Sequence, residues 1–288
     1  MTFTVRPMAD EDIEAVGEVV RVAALWEYQQ AGAQPPPPHT PEQQERARAG
    51  TRRFIALDGP GAWVAERDGK IIGMAEAVRR DDFWGLAMLF VHPDAHNQGI
   101  GRRLIDKTLA YAEGSRVRMI MTSEDPKALR RYSAAGLAIH PAVQAEGSVD
   151  RSTIPTNLQG RSGSIDDLDL VTDVDKGLAR NRTDDVAFVV SQGAALDVVD
   201  DGPRRGYCVY RDGKVVMLGA TDDDTAGALL WRALADSGEK TELYCLTAGQ
   251  DWAVRVALAA RLSVKPGGPL FVSGMQPPGP WIPSGWYF

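Results

Sequence analysis

Two glycines one residue apart, Gly99 and Gly101, stand between an apolar strand pattern ending at Val91 and a helical pattern beginning at Ile100. Glycine at a strand-to-helix turn lets backbone N–H groups approach a ligand closely. The first N–H groups of a helix have no partner within it, and the positive end of the helix dipole favours an anion. This spacing therefore indicates the binding of a phosphate-bearing cofactor.

The elements that position this turn are predicted from periodicity. Apolar residues recur at helical spacing after the glycines, and Gly114 stands where that helix would end. These apolar residues are Ile100, Leu104, Ile105, Leu109 and Ala112. A second strand is predicted at 117–121, and a second helix at 127–137 follows Asp125 as N-cap and Pro126 at the first helical position.

The turn lacks the features of two common phosphate-binding motifs. A dinucleotide fingerprint requires a third glycine near Leu104, and a P-loop requires Gly-Lys-Ser/Thr; neither is present. The turn resembles instead the acetyl-CoA motif of the GNAT N-acetyltransferases, in which a strand ending in Val-x-Pro precedes Arg/Gln-x-x-Gly-x-Gly/Ala and a helix. Residues 91–93 (Val-His-Pro) and 99–101 (Gly-Ile-Gly) match, and His96 stands where the family has Arg or Gln.

Two further segments carry the same resemblance, which covers about the first half of the chain. Residues 125–137 are similar to the family's Asn-x-x-Ala-x-x-x-Tyr-x-x-x-Gly-Phe segment, with Asp125 in place of Asn and Leu137 in place of Phe. Residues 5–13 resemble the family's first strand and the start of its first helix. The resemblance implies a mixed-sheet α/β GNAT fold that transfers an acetyl group from acetyl-CoA, as co-substrate, to a primary amine.

The resemblance also implies roles for individual residues. Tyr132 matches the general acid that protonates the departing thiolate, with an aromatic packing residue as the alternative interpretation. A backbone N–H of the strand ending at Val91 would polarise the thioester carbonyl. Arg103 is a further candidate for the cofactor's phosphates. The implied acetyl-CoA contacts are Leu89, Phe90, Val91, His96, Asn97, Gln98, Gly99, Ile100, Gly101, Arg102, Asp125 and Tyr132.

The general base is left open among several residues. Glu76, in the strand pattern 71–78, is the favoured candidate, and Glu27 and Glu66 are its rivals. A solvated strand face explains each carboxylate equally well, and some family members use water alone.

Three other groups are alternatives at the active site. His92 and His96 flank the turn and either ring could be the base, although a turn residue with its ring in solvent explains both. By similarity to tandem members of the family, the terminal carboxylate of Phe288 is also a candidate.

The second half of the chain predicts a degenerate second domain of the same family. Strands are predicted at 186–190, 196–199, 207–210, 215–218 and 243–246, and helices at 225–235 and 252–262. The turn at 219–224 reads Gly-Ala-Thr-Asp-Asp-Asp, and three carboxylates there would repel a pyrophosphate. We therefore expect a catalytic domain at 1–143, a linker at 144–166, and a structural or acceptor-shaping domain at 167–288 with a packed aromatic tail.

Composition limits the partners. The 288 residues suffice for two domains, and the net charge of −7 without a basic face argues against nucleic acid. No apolar run approaches the roughly 20 residues of a membrane span, and the N-terminus lacks a basic-then-apolar signal. We expect a cytoplasmic monomer or homodimer that acts on a small-molecule amine, with a non-catalytic acyl-CoA-binding module or sensor as the alternative function.

Cysteine, histidine and proline usage completes the expectations. Cys208 and Cys245 are expected to be reduced core residues, and the four histidines lack metal-ligand spacing. The irregular stretch 31–38, with four consecutive prolines, is the lip over the acceptor by resemblance or a stiff polyproline connector; both remain open. The hairpin signal Arg-Asp-Gly-Lys occurs at 67–70 and again at 211–214.

Overall fold

The structure, a computed structural model, describes residues 2–30 and 32–287. The chain divides into two compact units, Met1–Ser115 and Arg116–Phe288. This division falls before residue 143, where the sequence places the end of the first domain. Ala31, in the predicted irregular stretch, and Phe288, with its terminal carboxylate, lie outside the described residues.

The first unit is built on four antiparallel strands in the order β1-β2-β3-β4. Its elements are β1 (Thr4–Pro7), α1 (Ile13–Gln30), α2 (Pro41–Asp58), β2 (Trp63–Arg67), β3 (Lys70–Arg80), β4 (Phe83–Val91) and α3 (Ile100–Tyr111). Apolar side chains of α1 and α2 cover one face of the strands, packing on Met74 and Met88. Ile100 and Leu104 of α3 cover the other face, on Ala65 and Ala75.

Local chemistry explains how these elements meet. The hairpin between β2 and β3 turns through Asp68 (φ 50°) and Gly69 (φ 73°), the left-handed pair that the Asp-Gly signal predicts. A Cβ atom on Gly73 of β3 would lie 3.0 Å from Ile100 and 3.2 Å from Leu104. Glycine at this position therefore lets the first turn of α3 pack directly on the strand.

The second unit contains two groups of antiparallel strands, ordered β5-β12-β6-β11 and β13-β10-β9-β8-β7. Its elements are β5 (Val117–Met121), α4 (Pro126–Ala134), β6 (Ala138–Gly147), β7 (Arg161–Ser162), α5 (Leu168–Gly177), α6 (Thr183–Ser191), β8 (Ala195–Asp201), β9 (Arg204–Arg211), β10 (Lys214–Ala220), α7 (Asp223–Ala235), β11 (Thr241–Leu246), α8 (Asp251–Ala259), β12 (Ser263–Ser273) and β13 (Trp281–Ile282). Helices α7 and α8 pack on these strands around Leu229, Leu230 and Ala253.

One predicted strand is wrong. Residues 186–190 belong to the helix α6, because a short apolar run satisfies a buried strand and a buried helix turn equally well. The other strands predicted in the second half are confirmed, as are its two helices and the N-cap of α4 at Asp125. The segment predicted as a linker, 144–166, holds the end of β6 and the short strand β7.

The α/β fold class is confirmed by this arrangement. Within residues 2–30 and 32–287, no helix is both long enough and apolar enough to cross a membrane.

Candidate active site

The turn between β4 and α3 has the backbone of an anion-binding loop. Gly99 is the N-cap of α3 with φ 81°, in the left-handed region, and Asn97 is left-handed too, with φ 62°. A left-handed residue followed by a helical one turns successive N–H groups toward the same concavity. No described side chain caps α3, so no side chain competes with an anion there.

The side chain of His96 links this turn to the end of β4. Its Nε2 lies 3.0 Å from the carbonyl oxygen of Val91, and because a carbonyl only accepts, Nε2 donates the proton. The ring of Trp26, on α1, meets the His96 ring edge-on with centroids 4.8 Å apart. Sequence reasoning placed His96 on the cofactor; the structure shows its Nε2 occupied by the end of β4.

Gln98, the residue before Gly99, is held at both ends of its side chain. Its Nε2 donates to the carbonyl oxygen of Asp94 at 3.3 Å, and its Oε1 accepts from Nη2 of Arg67 at the end of β2. The turn is therefore tied to the β2–β3 hairpin. Arg67 was not among the residues predicted from the sequence, because its contact with Gln98 spans 31 positions.

A bulge interrupts β4 in front of this turn. Glu76 of β3 lies opposite Met88, and Ala77 lies opposite Leu86, which leaves Ala87 without a partner on β3. A bulge releases backbone groups from the ladder and bends the strand, and bulges are frequent beside active sites. The sequence carries no signal for this extra residue.

Glu76, the favoured general base, is a completely buried carboxylate beside the bulge, with 0% of its surface exposed. Neither carboxylate oxygen has a described partner in hydrogen-bonding geometry. Burial raises the pKa of Glu76 to about 8, opposed by the nearby Thr51 hydroxyl and reinforced by the Asp58 carboxylate. At neutral pH the group is therefore mainly protonated, and it ionises as the pH passes about 8.

Its rivals have other environments. Glu66 accepts from Nε of Arg6 at 2.7 Å, in an ion-pair group that also includes Asp12. Glu27 is exposed near the end of α1. His92 accepts the backbone N–H of Asp94 on its Nδ1 at 3.3 Å.

The remaining predicted contacts of the first unit lie at or near the turn. Leu89, Phe90 and Val91 are half-buried at the end of β4, and Arg102 is exposed on the first turn of α3. Arg103, the further phosphate candidate, donates to the carbonyl oxygen of Phe3 at 3.2 Å and lies 4.7 Å from its ring centre.

The two predicted residues of the second unit lie on or before α4. Tyr132 is 5% exposed, and its ring meets that of Phe271 edge-on at 5.6 Å. Asp125 accepts the N–H of Lys127 at 3.0 Å and so caps α4 with its carboxylate.

The corresponding turn of the second unit, between β10 and α7, is closed by its own side chains. Asp222 caps α7 and accepts from both the N–H and the hydroxyl of Thr225 at 2.8 Å. The tail strand β13 pairs with the end of β10, and the N–H of Ala220 donates to Pro280 at 2.9 Å. The tail therefore packs down as its aromatic content predicts, over the end of β10.

The described residues contain no cluster of three or more His, Cys, Asp or Glu that could hold a metal ion. Cys208 and Cys245 are both buried and free, and burial raises the pKa of both thiols. They are therefore unreactive core residues, as the sequence predicts.

The fold and the turn define an α/β protein with a strand–turn–helix motif suited to an anion. Residues 22–137 match the model of the acetyltransferase (GNAT) family. Among curated proteins, none matches this sequence.

Solved structures resemble the whole chain at low sequence identity. A proposed acetyltransferase from Pyrococcus horikoshii has a TM-score of 0.76 at 14% identity, covering 95% of this chain and 90% of its own. A GCN5-related N-acetyltransferase from Sphaerobacter thermophilus has a TM-score of 0.61 at 16% identity and 98% coverage of both chains. A tandem GNAT protein from the clavulanic acid biosynthesis pathway has a TM-score of 0.57 at 15% identity, covering 96% of this chain and 100% of its own. The fold is therefore GNAT-like in a tandem layout.

Proposed function

We propose that this protein is an N-acetyltransferase that moves the acetyl group of acetyl-CoA to a primary amine of a small molecule, by direct attack in a ternary complex. The observation that carries the proposal is the uncapped turn at Gly99, which lies inside the segment matched by the family model. Its backbone N–H groups offer the donors that a pyrophosphate requires. The bulge at Ala87 offers backbone groups for the thioester end of the same molecule.

The reaction transfers one acetyl group from sulfur to nitrogen and moves two protons, one off the nitrogen and one onto the sulfur. The amine nitrogen attacks the thioester carbonyl carbon, the C–S bond breaks, and the electron pair of that bond leaves with sulfur. The attacking nitrogen loses one proton and the thiolate gains one. A base, an oxyanion donor and an acid are therefore required.

Glu76 is the base in this proposal. It lies opposite the bulge, and its carboxylate interacts with Thr51 and Asp58 of α2, on the helix-covered face of β3. A base with a pKa near the working pH combines a useful ionised fraction with a real affinity for the proton. Since the carboxylate form increases as the pH approaches about 8, turnover limited by this group rises with pH over that range.

Tyr132 is the acid in this proposal, a role that rests on the family motif it matches. A tyrosine hydroxyl with an ordinary pKa of about 10 stays protonated at neutral pH and can donate. The acetyl-CoA contacts proposed from the resemblance are the end of β4 at 89–91, the β4–α3 turn and first turn of α3 at 96–102, and Asp125 and Tyr132 at α4.

A second candidate function is a non-catalytic acyl-CoA-binding module. The complete burial of Glu76 favours it, because the only carboxylate on β3 and β4 then has no exposed surface for an incoming amine. In such a module the turn at Gly99 binds the same ligand without turnover.

Calorimetric titration with acetyl-CoA, followed by an assay of CoA release with a panel of amines, tests both functions. We expect one site per chain, and we expect Tyr132→Phe to lower kcat by about 100-fold with little change in Kd. Tyr244→Phe, an exposed tyrosine of β11, is the matched control and is expected to keep full turnover. Binding without turnover on any amine favours the module, and absence of binding contradicts both functions.

A further inference from the structure

The end of the β2–β3 hairpin carries two cations in one place. Arg67 and Lys70 are directly opposite each other across the turn made by Asp68 and Gly69. Opposite residues of an antiparallel pair project from the same face, where like charges destabilise the pair. The repulsion between Arg67 and Lys70 therefore destabilises the hairpin as long as no anion is bound there.

Neither cation has a carboxylate partner among the described residues. The guanidinium of Arg67 donates to the neutral amide oxygen of Gln98, and its Nε is buried without a partner. Other arginines of the same unit are in ion pairs: Arg6 with Asp12 and Glu66, Arg21 with Glu18, Arg48 with Glu14, Arg52 with Glu45 and Arg80 with Asp58. At the hairpin end, by contrast, no described carboxylate lies within ion-pair distance of either cation, the turn residue Asp68 included.

The hydrogen bond to Gln98 places this charge beside the anion-binding turn. Gln98 immediately precedes Gly99, and its amide is also tied to the carbonyl of Asp94 at 3.3 Å. The guanidinium is therefore held in position rather than free to sample solvent, which reduces the entropy lost when an anion binds.

We infer that Arg67 and Lys70 form a cationic subsite that binds the pyrophosphate of the co-substrate together with the β4–α3 turn. The inference rests on the proposed function and extends it to residues of the hairpin. Arg67 has two roles in it: it fixes Gln98, and it supplies charge to the diphosphate. Lys70, which is exposed and makes no bond to the turn, supplies charge alone.

Calorimetric Kd values for CoA and for dephospho-CoA, measured at low and high NaCl, test the subsite. Arg67→Gln is expected to weaken both ligands about tenfold, the effect of one hydrogen bond to a charged group. Lys70→Gln is expected to weaken both about threefold, as for an exposed charge pair. Arg67→Lys keeps the charge without the planar fork and should lie between Arg67→Gln and the wild type. Salt should reduce these differences.

Arg52→Gln is the matched control, because it removes one positive charge from an exposed arginine of α2. A loss with Arg52→Gln equal to that with Arg67→Gln overturns the subsite in favour of net charge. A loss confined to CoA assigns Arg67 to the 3′-phosphate and overturns the pyrophosphate assignment. Unchanged Kd values in Arg67→Gln overturn the subsite while leaving the proposed function intact. If the wild type binds neither ligand, the proposed function fails, and the subsite fails with it.

Discussion

The two units each contain a hairpin followed by a turn and a helix, and the two helix N-termini differ in what satisfies them. Helix α3 begins at a left-handed glycine without a described side-chain cap, beside cations that lack carboxylates. Helix α7 begins at Asp222, whose carboxylate bonds Thr225, and Asp223 and Asp224 follow in its first turn. The backbone N–H groups at the start of α3 are therefore available to an external anion. At the start of α7 the carboxylate of Asp222 already accepts such an N–H group.

The two units also differ in how a buried carboxylate is hydrogen-bonded, as Glu76 and Asp175 show. Neither oxygen of Glu76 has a partner in hydrogen-bonding geometry, and although the nearby Thr51 hydroxyl opposes it, burial raises the pKa of this group to about 8. Asp175, equally buried, accepts from Arg182 through the backbone N–H, Nε and Nη2, and from the hydroxyl of Tyr207 at 2.7 Å. Burial alone would raise the pKa of Asp175, but the charge and hydrogen bonds of Arg182 outweigh it and hold that pKa low.

This contrast shows which buried polar groups in each unit lack hydrogen-bond partners and therefore lower its stability. Unsatisfied polar groups are costly and cluster where a protein binds or reacts. In the first unit they include both oxygens of Glu76 at the bulge and Nε of Arg67 beside the turn, whereas the carboxylates of Asp175 and Asp222 in the second unit accept several hydrogen bonds. The contrast supports a binding role for the first unit and a structural one for the second.

The largest expected effect comes from breaking the buried ion pair between Arg182 and Asp175 in the second unit. Arg182 is 0% exposed, so Arg182→Met leaves the Asp175 carboxylate buried without the guanidinium paired with it, and only the Tyr207 hydroxyl remains as a side-chain donor among the hydrogen bonds described for Asp175. We expect a loss of about 3–5 kcal/mol of unfolding free energy, measured by denaturant unfolding. Asp175→Asn combined with Arg182→Met removes both charges and should recover part of this loss. A double variant no more stable than Arg182→Met would mean that packing, not charge, determines the effect.

The next largest effect is expected when the N-cap of α3 is given a carboxylate, as the N-cap of α7 has in Asp222. Gly99→Asp places a carboxylate where α3 would receive a phosphate, and we expect acetyl-CoA affinity to fall by on the order of 100-fold. A Cβ at Gly99 meets nothing within 4 Å, so space does not forbid the change. Gly99→Asn is the matched control, since both residues tolerate a positive φ and only one is charged. Equal losses in the two variants would assign the effect to backbone strain.

The third prediction concerns the unpaired acid of the first unit. The folded protein retains the Glu76 proton up to a pH of about 8, while the unfolded chain loses it near 4.5. The stabilisation linked to this proton is complete below the unfolded pKa and decreases as the pH rises to about 8. Between pH 6 and 7 we expect the unfolding free energy to fall by about 1.4 kcal/mol through this group.

Glu76→Gln removes this pH dependence because the amide does not titrate. Urea unfolding at pH 6 and pH 7 measures it in both proteins. Equal slopes in the wild type and in Glu76→Gln would place the pKa of Glu76 outside this range. The same variant should also remove any rise in turnover toward pH 8 if Glu76 is the base.

The anion-binding turn could be predicted because its signals are local. Gly99 and Gly101 lie between a strand and a helix whose periods are clear, and the N-cap at Asp125 follows from two adjacent residue types. The bulge at Ala87 could not be predicted, because it depends on the register between β3 and β4 and no residue type marks it. Register is a property of two strands, not of one.

Other features depended on contacts between distant residues. The strand predicted at 186–190 became α6 because an apolar run of five residues does not distinguish the two periods. The long strand β12 was not predicted, since Pro266 and Gly267 interrupt its pattern. Arg67 and Trp26 reach the turn only through folding, so their sequence positions carry no sign of it.

The smallest expected effect comes from removing the internal cap of the second turn. Asp222→Ala deletes the acceptor for the N–H and hydroxyl of Thr225, and we expect a loss of about 1 kcal/mol of unfolding free energy. Asp222→Asn keeps an N-cap acceptor and is the control, with most of the stability retained. Denaturant unfolding of the three proteins measures the difference, and an unchanged midpoint in Asp222→Ala would show that the cap is not needed.

The same variant tests whether the second turn is a silent cofactor site. We expect the acetyl-CoA stoichiometry to stay at one per chain in Asp222→Ala, because Asp223 and Asp224 still oppose a phosphate. Neutralising those two residues as well should not add a site, since β13 already pairs with β10 and Pro280 accepts the N–H of Ala220 at 2.9 Å. A second site appearing in the triple variant would mean that carboxylate repulsion alone separates the two turns. Its absence would mean that the tail strand, by pairing with the end of β10, prevents cofactor binding at the second turn even without the carboxylates.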